Sequence, residues 1–134
     1  YLIYKESIRM EHKRTWIYCR VAYPDAHALA SQQAALEAFA EKQGFEIAGT
    51  TAEQAGRLDF SRRGLTEVSN AVDAGEVDLL LVANLSRLGR DVVKTDAYLR
   101  WLEDRLVEVV CADGMVPQTA TEILHELMKA SVAN

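Results

Sequence analysis

Val77-Asp78-Leu79-Leu80-Leu81-Val82-Ala83-Asn84-Leu85 is the stretch on which the reading of the fold turns. It is apolar almost throughout, yet far short of the roughly 20 residues that a membrane-crossing helix needs. A strand with one wet face alternates apolar and polar side chains, so a continuous apolar run marks a strand covered on both faces. Before it, Gly75 closes a helix that starts at Arg62 behind a capping Ser61, with Leu65, Val68, Ala71 and Val72 on its inner face. After it, the pattern predicts a helix over 92–104 through Val93, Ala97, Leu99, Trp101 and Leu102, then a second buried strand from Val107 to Ala112.

The same alternation holds toward the amino terminus. Trp16 to Ala22 reads as a short apolar strand, followed by Pro24 and Asp25. Residues 26–43 form a helix with Leu29, Leu36, Phe39 and Ala40 on one face, and Gly44 is placed to end it. Phe45 to Thr51 reads as a strand, and a polar loop with Gly56, Arg57 and Asp59 follows. Beyond the breakers Gly114 and Pro117, residues 119–131 are amphipathic, with Ile123, Leu124, Leu127 and Met128 as the apolar stripe. Alternating strands and helices imply an α/β fold, a mainly parallel central sheet sandwiched by helices. Sites in such sheets gather at the carboxyl ends of strands, and Arg20 and Arg87 fall at two of them. Residues 1–15 lack a clean period and are set aside as an extension, native or added, from a domain spanning 16–134.

Composition narrows the function classes. The 134 residues suffice for one core, with 49% hydrophobic and 26% charged residues, as in a globular domain. The net charge of −5 argues against strong non-specific affinity for nucleic acid, though not against contact through a local arginine patch. Cys19 and Cys111 lie in apolar runs and read as reduced, buried thiols of a cytoplasmic protein. His12, His27 and His125 show no ligand spacing, so no metal site is expected, and nothing reads as a secretory or membrane segment.

Several blocks in order carry a family resemblance: Tyr18-Cys19-Arg20-Val21, Gln32 with Ala35-Leu36 and Gly44, Arg62-Arg63-Gly64-Leu65, Gly75 with Val77-Asp78, and Leu85-Ser86-Arg87-Leu88-Gly89-Arg90-Asp91. Together they resemble the catalytic domain of the resolvase/invertase serine recombinases over residues 16–130. The resemblance implies site-specific DNA cleavage and exchange without metal or other cofactor. A serine hydroxyl attacks a phosphodiester in line, and planar guanidinium forks stabilise the phosphorane. By the same resemblance Arg20, Arg62, Arg87 and Arg90 match the phosphate-binding arginines, and Gln32 a polar helper near the nucleophile. Arg57, Arg63, Arg100 and Arg105 read instead as solvated surface charges or salt-bridge partners.

Two positions depart from the family pattern. Ala22 stands where the serine nucleophile belongs, and Ser86 where an aspartate precedes the first arginine of the second cluster. Tyr23, Ser31 or Ser86 would have to reach an in-line approach of about 3–3.5 Å to stand in, which a displaced hydroxyl rarely does. Three readings follow: an active recombinase domain altered at position 22, an inactive recombinase-like domain that still binds DNA phosphates or its own kind, and an α/β interaction module without a DNA role. The resemblance also implies a homodimer through a long helix after the sheet. Here Asn134 comes before such a helix is complete and no helix-turn-helix or cysteine-rich domain follows, so the expectation is weak binding to the DNA backbone, without sequence selectivity.

Overall fold

The computed structural model describes residues 13–55, 63–89, 91–113, 118–119, 125, 128 and 129. The elements are β1 (Arg14–Val21), α1 (Ala26–Gln43), β2 (Glu46–Gln54), α2 (Arg63–Asp73), β3 (Leu79–Val82), a short 3-10 turn (Leu85–Arg87), α3 (Val92–Asp104), β4 (Glu108–Cys111) and β5 (Gln118–Thr119). The sheet order is β2-β1-β3-β4-β5. Its first four strands run parallel and β5 pairs antiparallel with β4, so the expected mainly parallel α/β architecture is what the chain adopts.

Strand alternation splits the apolar runs between two cores. Ile17, Cys19, Leu79, Leu81 and Val110 face α1 and pack with Leu36, Ala40 and Phe45. Tyr18, Leu80, Val82, Val109 and Cys111 face the other way and pack with Leu65, Val68 and Val72 of α2 and Leu99 and Leu102 of α3. Every residue of Leu79–Val82 is fully buried. That is why the run is continuous rather than alternating. Both thiols are buried as expected, and burial pushes each up to about 11.

Local chemistry sets the helix limits. Asp25 caps α1 by accepting from Ala28 N at 2.9 Å. Gly44, at φ 77°, ends it in the left-handed conformation that Gly adopts without strain. Asp91 caps α3 in the same way as Asp25, accepting from Lys94 N at 3.0 Å. Its other end is unusual: Leu106, not Gly, takes φ 60°, and is 88% exposed.

Three expectations need correction. The strand expected over 77–85 is ordered as a strand only over Leu79–Val82, because the chain beyond leaves the sheet for the Leu85–Arg87 turn. The inner face of α3 is Thr95, Leu99 and Leu102, whereas Val93 is 78% exposed. Gln118–Thr119 forms a short edge strand where the amphipathic segment was expected to begin. Ser61, Arg62, Arg90 and most of 119–131 lie outside the described residues, with His125, Met128 and Lys129 helical. Among the described residues no helix is long and apolar enough to cross a membrane.

Candidate functional site at the carboxyl end of the sheet

The site grows from a parting of two strands. β1 pairs with β3 only as far as Ile17↔Leu81, yet continues beside β2 to Val21↔Gln54. Past Ile17 the β3 side of β1 therefore has no strand partner. Val21 O accepts from Ala55 N on the β2 side, so the adjacent residue, Arg20, presents its main chain toward the gap. Buried peptide groups must find partners. The Gln32 side chain supplies them, its Oε1 accepting from Arg20 N at 3.0 Å and its Nε2 donating to Arg20 O at 3.1 Å. The amide thus takes the place of the missing peptide of β3.

The Arg20 side chain closes the same gap and is 3% exposed. Its Nε donates to Arg87 O at 2.9 Å, its Nη2 to Ser86 O at 2.7 Å and its Nη1 to Ala55 O at 2.7 Å. Arg87 returns the contact, its Nη1 donating to Arg20 O at 2.9 Å. The two arginines read from sequence as neighbours in space are joined in a reciprocal clasp. The turn is seated by Leu88, which is fully buried, and by hydrogen bonds from Arg87 N to Asn84 O and from Leu88 N to Leu85 O.

Ala22 lies at the end of β1, half-buried, with its carbonyl accepting from Gln54 Nε2 at 2.9 Å. Ser86 Oγ donates to Asn84 Oδ1 at 2.5 Å. Tyr23, on the loop after β1, is 76% exposed. Cys19, next to Arg20 in β1, is held protonated at neutral pH by burial first and by Glu37, against the opposing pull of Arg87. Beside Gln32 a cavity of about 220 Å³ opens between α1 and the ends of β3 and β4, with Phe39, Asn84 and Asp113 in its lining. The Asp113 carboxylate on its wall disfavours an anion there.

Some site residues were not singled out from sequence. Glu53 accepts from Tyr18 Oη at 2.5 Å and from Gly64 N at 2.9 Å, tying the end of β2 to the first turn of α2, just after Arg62. A side chain at Gly64 would displace that carboxylate from its present place. Asn84 and Gln54 act on the turn and on Ala22 as described above. The only available signal was a polar residue at a strand end, which is common. Of the predicted residues, Arg20, Gln32, Arg87, Ala22 and Ser86 meet at this end of the sheet, while Arg62 and Arg90 lie outside the described residues.

The fold has close counterparts. The chain is similar to the C-terminal catalytic domain of ISC1926 TnpA, an IS607-like serine recombinase, at a TM-score of 0.71 and 22% identity, covering 87% of this chain and 79% of that one. It is similar to the N-terminal catalytic domain of TP901-1 integrase at 0.73 and 21%, covering 89% and 94%. A resolvase family site-specific recombinase from Streptococcus pneumoniae matches at 0.69 and 20%, covering 91% and 89%. Among proteins of curated function none matches in sequence. At such identities the structures establish the shared fold alone. The family model for the resolvase N-terminal domain, however, matches residues 15–134, and the chain therefore belongs to the resolvase family of DNA recombinases.

Proposed function

We propose that this chain is a recombinase-lineage domain that binds the DNA phosphate backbone weakly and does not cleave it. The observation that carries the reading is Ala22: where the resemblance calls for an attacking hydroxyl, beside the Arg20–Arg87 clasp, the side chain is a methyl. Nearby nucleophiles offer no replacement. The Ser86 hydroxyl is given to Asn84, the Cys19 thiol is buried and protonated, and Tyr23 is 76% exposed. The inferred phosphate ligands are Arg62, Arg87 and Arg90, with Arg20 and Gln32 supporting them from within, and no cofactor enters. The domain is taken to act in the cytoplasm as a homodimer through its C-terminal helix, a partner surface to which Met128, 44% exposed, would contribute.

A second reading, an interaction module with no DNA role, draws support from the same clasp, since Arg20 spends its guanidinium on main-chain carbonyls. One experiment separates the two. Fluorescence anisotropy of a labelled short duplex is expected to show salt-sensitive, reversible binding, with a log–log slope near −2 to −3 for two or three phosphate contacts. Arg87→Ala should weaken it by about tenfold, roughly one charge-assisted contact. Absence of binding at low salt would favour the interaction module. A protein–DNA species that survives denaturation by detergent would refute the absence of cleavage.

A further inference from the structure

We infer that Arg20 is a positioning residue for Arg87, holding the 84–88 turn and through it the neighbouring guanidinium, rather than gripping a phosphate itself. The inference rests on the DNA-binding reading only for the ligand that Arg87 meets.

Burial and bonding both support it. Arg20 is 3% exposed, and each of its three guanidinium nitrogens donates to a main-chain carbonyl at 2.7–2.9 Å. The acceptors belong to two separate segments, Ala55 after β2 and Ser86 and Arg87 after β3, both beyond the reach of sheet pairing. The planar fork is suited to bridging fixed oxygens in this way, which a lysine ammonium, a single point charge, does poorly. Turning toward a phosphate would surrender these three part-buried bonds at once. Arg87 is placed differently. It is half-buried, it sits on the turn that Arg20 holds, and its Nη1 rests on Arg20 O at 2.9 Å. Gln32 completes the arrangement by fixing the main chain from which the Arg20 side chain springs.

The test is a nuclear magnetic resonance titration of the full chain, following arginine Nε–Hε signals as a short DNA duplex is added. The Arg20 signal is expected to exchange with solvent at least about tenfold more slowly than that of Arg100, whose side chain is 74% exposed, and to stay in place while the Arg87 signal shifts to saturation. In Arg20→Lys, the amides of Arg87 and Leu88 should exchange roughly tenfold faster while those of Ile17 and Tyr18 keep their protection. An Arg20 signal that moves with the duplex along the same binding curve as Arg87 would overturn the inference. If no arginine signal moves, the DNA-binding reading fails by itself. The positioning of the turn is then decided by exchange: a slowly exchanging Arg20 signal sustains it, and one as fast as Arg100 overturns it. The measurement on the unaltered chain stands even if Arg20→Lys does not fold.

Discussion

The two ends of the sheet use the same residue type in opposite ways. At the amino end Arg14 pairs with Asp78, Nε to Oδ2 at 3.0 Å, with side chains 46% and 40% exposed. Lys13 meets Glu108 at 2.9 Å a strand away. At the carboxyl end Arg20, six residues along the same strand, is buried and spends its fork on carbonyl oxygens. An exposed pair loses most of its Coulomb energy to water and salt, whereas a buried guanidinium holds its part-buried acceptors with less screening. The difference teaches that one end is decorated by charge and the other is built from it. Strands that stay paired need no help; strands that part need a donor to hold the loops between them.

Breaking the buried end should have the largest effect. Arg20→Met keeps much of the side-chain volume but removes all three donors, and is expected to cost roughly 3–5 kcal/mol in denaturant unfolding, about 1–2 kcal/mol for each part-buried acceptor left without its donor. A loss below about 1 kcal/mol would place Arg20 with the exposed pairs.

Changes at the amino end should be milder. Leu106, in the loop that leads from α3 into β4, adopts φ 60° with 88% of its surface exposed. A side chain in that conformation costs about 1–2 kcal/mol, partly offset by the freedom Gly gains in the unfolded chain. Leu106→Gly should therefore stabilise the domain by about 0.5–1 kcal/mol, visible as a raised thermal midpoint.

The smallest effect is expected at the Arg14–Asp78 pair. The Arg14 hydrogen bond, opposed by partial burial, holds the Asp78 carboxyl below its ordinary value. A group depressed in the folded state stabilises the fold above its unfolded pKa, near 3.9, and loses that contribution as pH falls through the folded value. Asp78→Asn should lower the unfolding midpoint slightly at pH 6 and converge on the parent below about pH 4. A gap that widens in acid would reverse the assignment.

The physics of this contrast also explains what was legible in the sequence. Leu79–Val82 and Glu108–Cys111 announced themselves because full burial leaves no polar alternation to confuse them. The inner face of α2 was equally clear, since Leu65, Val68 and Val72 are apolar at helical spacing and all buried. In α3 the signal misled: Val93 is apolar but exposed and Thr95 polar but buried, because the packed face is chosen by the sheet it meets. The end of β3 was overextended because Ala83 and Leu85 are apolar, and no residue code reveals that Arg20 captures the carbonyls that follow. Arginine is ordinarily a surface residue, so the burial of Arg20 had no signal in the sequence. The role of Gln32 as a substitute peptide was invisible, because it depends on where β1 and β3 part.

The reading proposed for the carboxyl end is an arginine cluster without its attacking oxygen, Ala22 standing where the resemblance places a serine, and one measurement tests that proposal most directly. The unaltered chain and an Ala22→Ser/Ser86→Asp double variant would be incubated with supercoiled DNA carrying a suitable site and scored on a denaturing gel for covalently attached protein. The expected result is a covalent species with the double variant alone. A covalent species formed by the unaltered chain would contradict the claim.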